Sequence, residues 1–256
     1  MCDAILGRAW CEFILTPNIF WTSFFLGRLI GMTGIELLRP ARKVSYLKVM
    51  LYDVTVFTFF QHVIVPAAGY IDGWIAVRPH LPDTILQMPL LLRLFCYFLI
   101  ADFGHYWIHR FMHQKPVWRI HKWHHAPTYM YWLAGSRATI PQQALVNLPY
   151  TFAYSFLDPS PWWLGLAIGM FGGLQNDWMH LNVTWRSNWL EWFVVTPRYH
   201  HIHHSDKPEH YMANLAALFT IWDRLFGTYV NPDEVKEPLS FGIGEEVPLA
   251  RLVVGV

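Results

Sequence analysis

Charge is scarce in this 256-residue chain: Asp, Glu, Lys and Arg together make up 14% of it, against about 25% in an ordinary soluble domain. Apolar residues reach 54%, aromatic residues 17%, and the mean hydropathy is +0.23. So few charges would cover a soluble globule of this size thinly, whereas a protein embedded in a bilayer needs no such cover. Neither sign is in excess. The net charge of +1 gives no basic surface for nucleic acid and no acidic tail. Cysteine is equally sparse. Cys2, Cys11 and Cys96 form neither a CxxC motif nor a disulfide spacing, which argues against thiolate metal sites and stapled secreted folds. The opening "MCDAILGRAWCEF" lacks the basic start and clean apolar run of a cleaved signal, so it is expected to stay on the mature protein.

What the chain does have is long uncharged runs. From Ala138 to Asn176 the one formal charge is Asp158, inside "LDPSP". The arms Ala138 to Leu157 and Pro159 to Asn176 each match the roughly 20 apolar residues that cross a bilayer, and the Asp-Pro-Ser-Pro break is a turn signal. This pattern predicts a helical hairpin. Two earlier spans are expected at Tyr46 to Pro66, which holds Asp53, and near Leu90 to Ile108, which holds Arg93 and Asp102 near its ends, where charges are best tolerated. The stretch from 67 to 84 between them reads as a loop. Residues 13 to 37 either cross or lie in the interface. The basic groups at "RPARK" (39 to 43) and through 110 to 122 mark that side as cytoplasmic. The fold expected is an all-α polytopic bundle of about four spans. Its divisions are an N-terminal membrane region (1–96), a central domain (97–230) and a tail (231–256). The alternative is a soluble all-helical protein with buried hairpins.

Histidine is the second abundance. Twelve of fourteen histidines fall between 105 and 210. "HYWIHRFMH" sets His105, His109 and His113 four apart, on one helical face. "HKWHH" and "HHIHH" both contain HxxHH: His121, His124 and His125, then His200, His203 and His204, with His201 inserted. Neighbours on a helix point about 100° apart, so adjacent histidines suit two nearby ions better than one. A structural zinc site closes with four ligands, and these candidates are too many for one ion. Nitrogen ligation alone allows Zn, Cu, Fe or Ni, and no HExxH signals a zinc protease. Because a hairpin returns the chain to the side it left, both histidine regions are expected to meet. His62 and His80 have no partners in this pattern.

The runs "DFGHYWIHRFMH…PVWRIHKWHH" and "WMHLN…TPRYHHIHHS…NLAALFTIWDRLFGTY" resemble the fatty acid hydroxylase/sterol desaturase superfamily of integral-membrane di-iron oxygenases, over roughly residues 97–230. The resemblance implies a cytoplasmic histidine-rich cap holding two iron ions. Its ligands would be His109, His113, His121, His124, His125, His180, His200, His203 and His204. The chain departs from the family pattern at three places. His105 stands where an aromatic residue is usual, His201 where a non-ligand is common, and Asn176 one turn before His180, where some members carry histidine. His105, His201 and Asn176 are therefore expected beside the ligands, Asn176 through a water. Asp102, Asp177, Asp206, Glu209 and Asp223 are candidates to accept the free imidazole N–H groups.

The resemblance further implies an O2-dependent enzyme that hydroxylates or desaturates a C–H bond of a lipid: a fatty acyl chain, an alkylglycerol, a sterol or a carotenoid. The rivals are a non-enzymatic membrane metal-binding or transport protein, which needs a polar path through the bilayer, and a zinc-dependent membrane hydrolase, which needs a carboxylate base at motif spacing. The chain shows no GxGxxG, no iron–sulfur cysteine set, and fewer than thirty residues after "WDRLFGTY". An external electron donor is accordingly expected (a cytochrome b5, a ferredoxin or a reduced pterin) at Arg110, Lys115, Arg119 and Lys122. The membrane is expected to be the bacterial inner membrane or the endoplasmic reticulum.

Overall fold

The computed structural model describes residues 19–158, 160–236 and 238–256, and among these the regular structure is helical, with strand pairing limited to isolated bridges. Helix α1 (Ile19–Leu38) leads into α2 (Tyr46–Ile75) and, after a connection over 76–89 that holds one helical turn at Asp83–Leu86, α3 (Leu90–Met112). Helix α2 does not stop at Pro66. A π segment at Phe60–Ile64 precedes the proline, with the Val65 amide bonded to the Phe60 carbonyl. This i→i+5 turn absorbs the bond that the proline nitrogen cannot make. The helix therefore takes in 67–75, which the sequence reads as loop. Helices α2 and α3 are each long and apolar enough to cross a membrane, and most of the apolar window of each lies outside the protein core.

The uncharged run at 138–176 behaves differently from the expected pair of spans. It yields α5 (Ile140–Ala153), of 14 residues, and α6 (Trp162–His180), of 19. The first is short because the chain from Met130 to Thr139 is buried as core, with Tyr131, Trp132 and Leu133 inaccessible. The second ends on Gln175, Asn176, Asp177 and His180, a polar turn with Asp177 and His180 buried. Both helices pack on α3. Gly104 meets the Pro149 ring with no room for a Cβ, and Ala101, Ala153, Leu157 and Leu164 share a cluster with Tyr97. Of the stretch 13–37, the part before residue 19 lies outside the described residues; the remainder is regular helix.

Buried ion pairs fasten α1 and α2 to the rest. Arg28 donates twice to Asp177 at 2.6 Å. The Glu36 carboxylate accepts the Trp132 and Asn182 amides at 2.8 Å each. Asp53 accepts Arg137 at 2.6 Å and the Tyr129 and Tyr131 hydroxyls. An acid this deep persists only when charge and hydrogen bonds compensate its lost hydration, and removing one partner typically costs about 3–5 kcal/mol. These bonds place the buried 129–137 segment against α2 and the end of α6. Helices α4 (Trp118–His125) and α7 (Pro197–His203) pack on it, while α8 (Ile221–Leu225) meets α3 through Trp222 and Phe103 and α9 (Leu249–Val254) packs on α4.

Candidate metal centre

Nine histidines converge in two groups. His109, His113, His121, His125 and His203 form one, and His124, His180, His200 and His204 form the other; within each group a nitrogen from every member lies within 4.8 Å of the rest. The last turn of α3 supplies His109, with His113 just beyond it; α4 supplies three, the end of α6 one, and α7 His200 and His203, with His204 just beyond it. Each HxxHH motif is divided in the same way. Its i and i+4 histidines enter one group and the i+3 histidine the other, as the angular step of a helix requires. The two motifs do so in opposite senses: the α4 pair His121/His125 joins the group of five, and the α7 pair His200/His204 the group of four. The groups share a wall, with the His125 and His204 rings stacked at 4.3 Å between centroids.

Backbone carbonyls set the tautomers. Nδ1–H donates to the Leu215 carbonyl from His109 (2.7 Å), to Arg137 from His124 (3.2 Å), to Asn176 from His180 (2.7 Å) and to Ala213 from His203 (2.9 Å). A carbonyl can only accept, so the proton sits on Nδ1 and Nε2 carries a lone pair. Within each group Nε2 atoms approach one another: His109 to His121 at 3.1 Å, His125 to His121 at 3.2 Å, His180 to His204 at 3.2 Å and His204 to His200 at 3.0 Å. The buried Nε2 atoms of His113 and His203 and Nδ1 atoms of His121 and His200 have no hydrogen-bond partner. Burial, reinforced by mutual repulsion, holds His113, His121, His124, His125, His200, His203 and His204 well below the ordinary imidazole range, so the rings stay neutral and each keeps one nitrogen lone pair. Converging nitrogens on uncharged rings fit cations. An all-nitrogen donor set suits zinc, copper, iron or nickel among the first-row metals.

The carboxylates named from sequence do not touch the rings. Asp102 accepts the Leu218 and Phe219 amides and the Trp222 indole, and Asp223 accepts the Leu215 and Ala216 amides and the Tyr199 and Thr228 hydroxyls. They fix the 213–220 segment, whose carbonyls then hold His109 and His203. Asp206 bonds Ser240, Asp177 bonds Arg28, and Glu209 is exposed. His105 contacts the Tyr150 hydroxyl at 3.0 Å and His201 contacts Arg42 at 3.0 Å, both outside the two groups. Asn176 serves through its main-chain oxygen.

Sequence reasoning missed Asn214 and Gly135. Asn214 lies between the two orienting carbonyls at φ 51°, a left-handed conformation that asparagine tolerates. Its side chain secures it by donating to the Tyr199 and Val230 carbonyls and accepting the Val230 amide. Gly135 lies directly against the His180 ring, where a Cβ would overlap it. It also missed Arg137, whose carbonyl orients His124 while its guanidinium meets Asp53; an unpartnered acid within an apolar span was the available signal. Of the four cations expected to receive a donor, Arg110 is tied to the Tyr106 hydroxyl and the Phe226 carbonyl and Lys122 to Glu245, while Lys115 and Arg119 are exposed.

A family model described as fatty acid hydroxylase matches residues 94–228. Alkylglycerol monooxygenase of Danio rerio is 32% identical over 149 residues, which cover 57% of this chain and 33% of that protein. Ornithine lipid hydroxylase OlsE of Rhizobium tropici is 33% identical over 165 residues, covering 62% and 47%. Methylsterol monooxygenase 1-3 of Arabidopsis thaliana is 30% identical over 182 residues, covering 70% and 61%. The matched region is thus about a third of the length of the alkylglycerol monooxygenase. No solved structure matches the chain.

Proposed function

Since the chain belongs to the fatty acid hydroxylase family, we propose that it is a membrane-bound di-iron oxygenase that hydroxylates an unactivated C–H bond of a lipid. The observation that carries this reading is the division of nine histidines into two adjoining, buried groups. His109, His113, His121, His125 and His203 would hold one iron and His124, His180, His200 and His204 the other. When bound, the iron pair would supply O2 activation, chemistry that no amino-acid side chain performs. The protein's own part is positional. The carbonyls of Arg137, Asn176, Ala213 and Leu215 fix ring orientation and tautomer, as outer partners of metal ligands do. Buried Tyr106, Met112, Trp123 and Ile202 keep bulk water from the surroundings of the reacting carbon.

The relatives are named for different lipids, an alkylglycerol, an ornithine lipid and a methylsterol, and a lipid C–H bond is their common denominator. A metal transporter or a zinc hydrolase fits less well. Both groups consist of histidine alone, and the nearby acids Asp102 and Asp223 are committed to backbone amides, so neither is free to act as a base. In this reading α2 and α3 cross the bilayer, within a bundle of about four spans. The histidine cap faces the cytoplasm beside the basic residues 39–43 and 110–122, at a bacterial inner membrane or the endoplasmic reticulum. Electrons come from an external donor such as a cytochrome b5, a ferredoxin or a reduced pterin, received around Lys115 and Arg119. Lipid profiling of cells expressing the chain or its His121→Ala variant tests the reading. A lipid that gains one oxygen with the former and not the latter supports it; identical profiles refute it.

A further inference from the structure

The side of α3 turned away from the core is a single apolar stripe: Leu92, Phe95, Phe103, Trp107 and Phe111 are all exposed at spacings of three, four or eight residues. From Leu92 to Phe111 the stripe is about 28 Å long at 1.5 Å per residue, close to the roughly 30 Å of a bilayer's hydrocarbon core. Helix α8 rides on its histidine-side end. Trp222 meets Phe103 at 5.1 Å and Phe226 meets Trp107 at 4.9 Å between ring centroids. Those contacts lie about 6–12 Å inboard of Phe111 along the helix axis.

A helix held at that level by a spanning helix should be polar outside if water covers it. It is not. Ile221 and Leu225 are 46% and 62% exposed. The adjoining segment continues the same surface, with Trp189 70%, Trp192 63% and Phe193 63% exposed, joined to α8 by the Val194–Phe219 bridge and by the Thr220 amide on the Phe193 carbonyl. The charges of the segment turn away from this surface. Asp223 is buried, and Arg224 lies over the Trp192 and Tyr229 rings at 4.4 and 4.2 Å while donating to the Thr220 and Glu191 carbonyls. Large aromatic and aliphatic side chains exposed together, at interfacial depth and without free charge, match the apolar face of a helix lying in a membrane interface.

We propose that α8 and the 189–193 segment form a membrane-inserted lip, embedded among the acyl chains of the histidine-side leaflet alongside α3. The partner surface is the phospholipid of that leaflet. This inference rests on the reading that α3 crosses the bilayer, and the test separates the two. Full-length protein with Cys2, Cys11 and Cys96 replaced by Ser is labelled with a nitroxide at one introduced cysteine and reconstituted in phosphatidylcholine/phosphatidylglycerol vesicles. Leu225→Cys and Trp189→Cys probe the lip, Phe95→Cys probes the span, and Lys236→Cys is the aqueous control. Power-saturation electron paramagnetic resonance then compares collision with O2, enriched in lipid, against a water-soluble nickel chelate. The expected result is a ratio favouring O2 several-fold more at 225 and 189 than at 236, approaching that at 95. If 95 is lipid-exposed while 225 and 189 match 236, the lip is refuted and the span survives. Nickel access at 95 refutes the span and the lip with it. Labels at 225 and 189 shielded from both reagents, with broadening relieved by unlabelled protein, would make this face a contact between copies and overturn the proposal.

Discussion

Gly135→Ala should remove one of the two metal ions while leaving the other. Gly135 sits in a buried 3-10 turn (Ala134–Ser136), flanked by Ala134 and Ser136, both inaccessible or nearly so. An added methyl would overlap the Nδ1 side of the His180 ring. The backbone has no free side to retreat to, so the ring must move. Overpacking of this kind costs about 1–3 kcal/mol. The ring would also lose its 2.7 Å bond to the Asn176 carbonyl, a net loss of about 1 kcal/mol. Misplacing a ligand by loss of its orienting partner lowers metal affinity roughly 10–100-fold, and here the whole ring is displaced. The group of four should therefore empty under mild chelation while the group of five, which has no contact with Gly135 among those described, keeps its ion. The assay is metal per chain by mass spectrometry after dialysis against a weak chelator: about two for the parent, about one for the variant. Gly169→Ala on α6, where nothing lies within 4 Å, should retain two. A Gly135→Ala protein holding both ions with unchanged stability would refute the packing argument or the place of His180 among the ligands.

Other substitutions reach the centre from further away. Asp223→Asn should loosen the Leu215 and Ala216 amides, costing about 2–4 kcal/mol for the charged hydrogen bonds weakened, and should deplete the group of five first, read by thermal melting and metal content. Asn214→Gly keeps the left-handed φ and should be milder than Asn214→Ala, which loses both the side-chain bonds and the conformational tolerance; equal melting temperatures would contradict this. Alanine at His105, His201, His62 or His80 should leave about two ions per chain, whereas alanine at any of the nine grouped histidines should not; His105→Ala losing metal while His113→Ala keeps it would move the ligand pair one turn earlier, to His105 and His109. In metal-free protein the buried histidines titrate well below 6.5. Their contribution to stability is complete above that value and lost as pH falls through it, because the unfolded chain binds protons that the folded chain refuses; a melting temperature flat from pH 7 to 5 would contradict the burial argument. The 256-residue chain alone, given NAD(P)H and O2, should not turn over until an external donor is added, and added salt should slow an acidic donor if Lys115 and Arg119 receive it.

The histidine pattern was legible in the sequence because ligand spacing and helix period are both local: His121, His124 and His125 on one short helix, His200, His203 and His204 on another. So was their meeting, since the chain between them must leave and return. The groups that orient the rings were not. The Leu215 and Ala213 carbonyls look like any other peptide oxygen in a sequence, and the acids that hold them act through backbone amides rather than on the imidazoles, so proximity to a ligand misassigned Asp102 and Asp223. Asp53 and Arg137 are 84 residues apart, and nothing local announces the pair. The π segment before Pro66 defeated the expectation of a loop because proline is read as a stop unless the preceding turn is known to widen. The short α5 shows a further limit: an uncharged run reports burial, and Ala138 and Thr139 are buried in protein rather than lipid.

The central claim is that these nine histidines hold an iron pair that transfers oxygen from O2 to a lipid. Single turnover tests it most directly. The purified chain, loaded with iron and reduced with dithionite under anaerobic conditions, is mixed with total membrane lipid and exposed to oxygen gas enriched in the heavy isotope. The lipid is then read by mass spectrometry. The expected result is a lipid carrying one heavy oxygen atom, absent with the His121→Ala and His200→Ala variants. A product labelled from heavy water instead of O2, or an unchanged lipid from fully loaded protein, would contradict it.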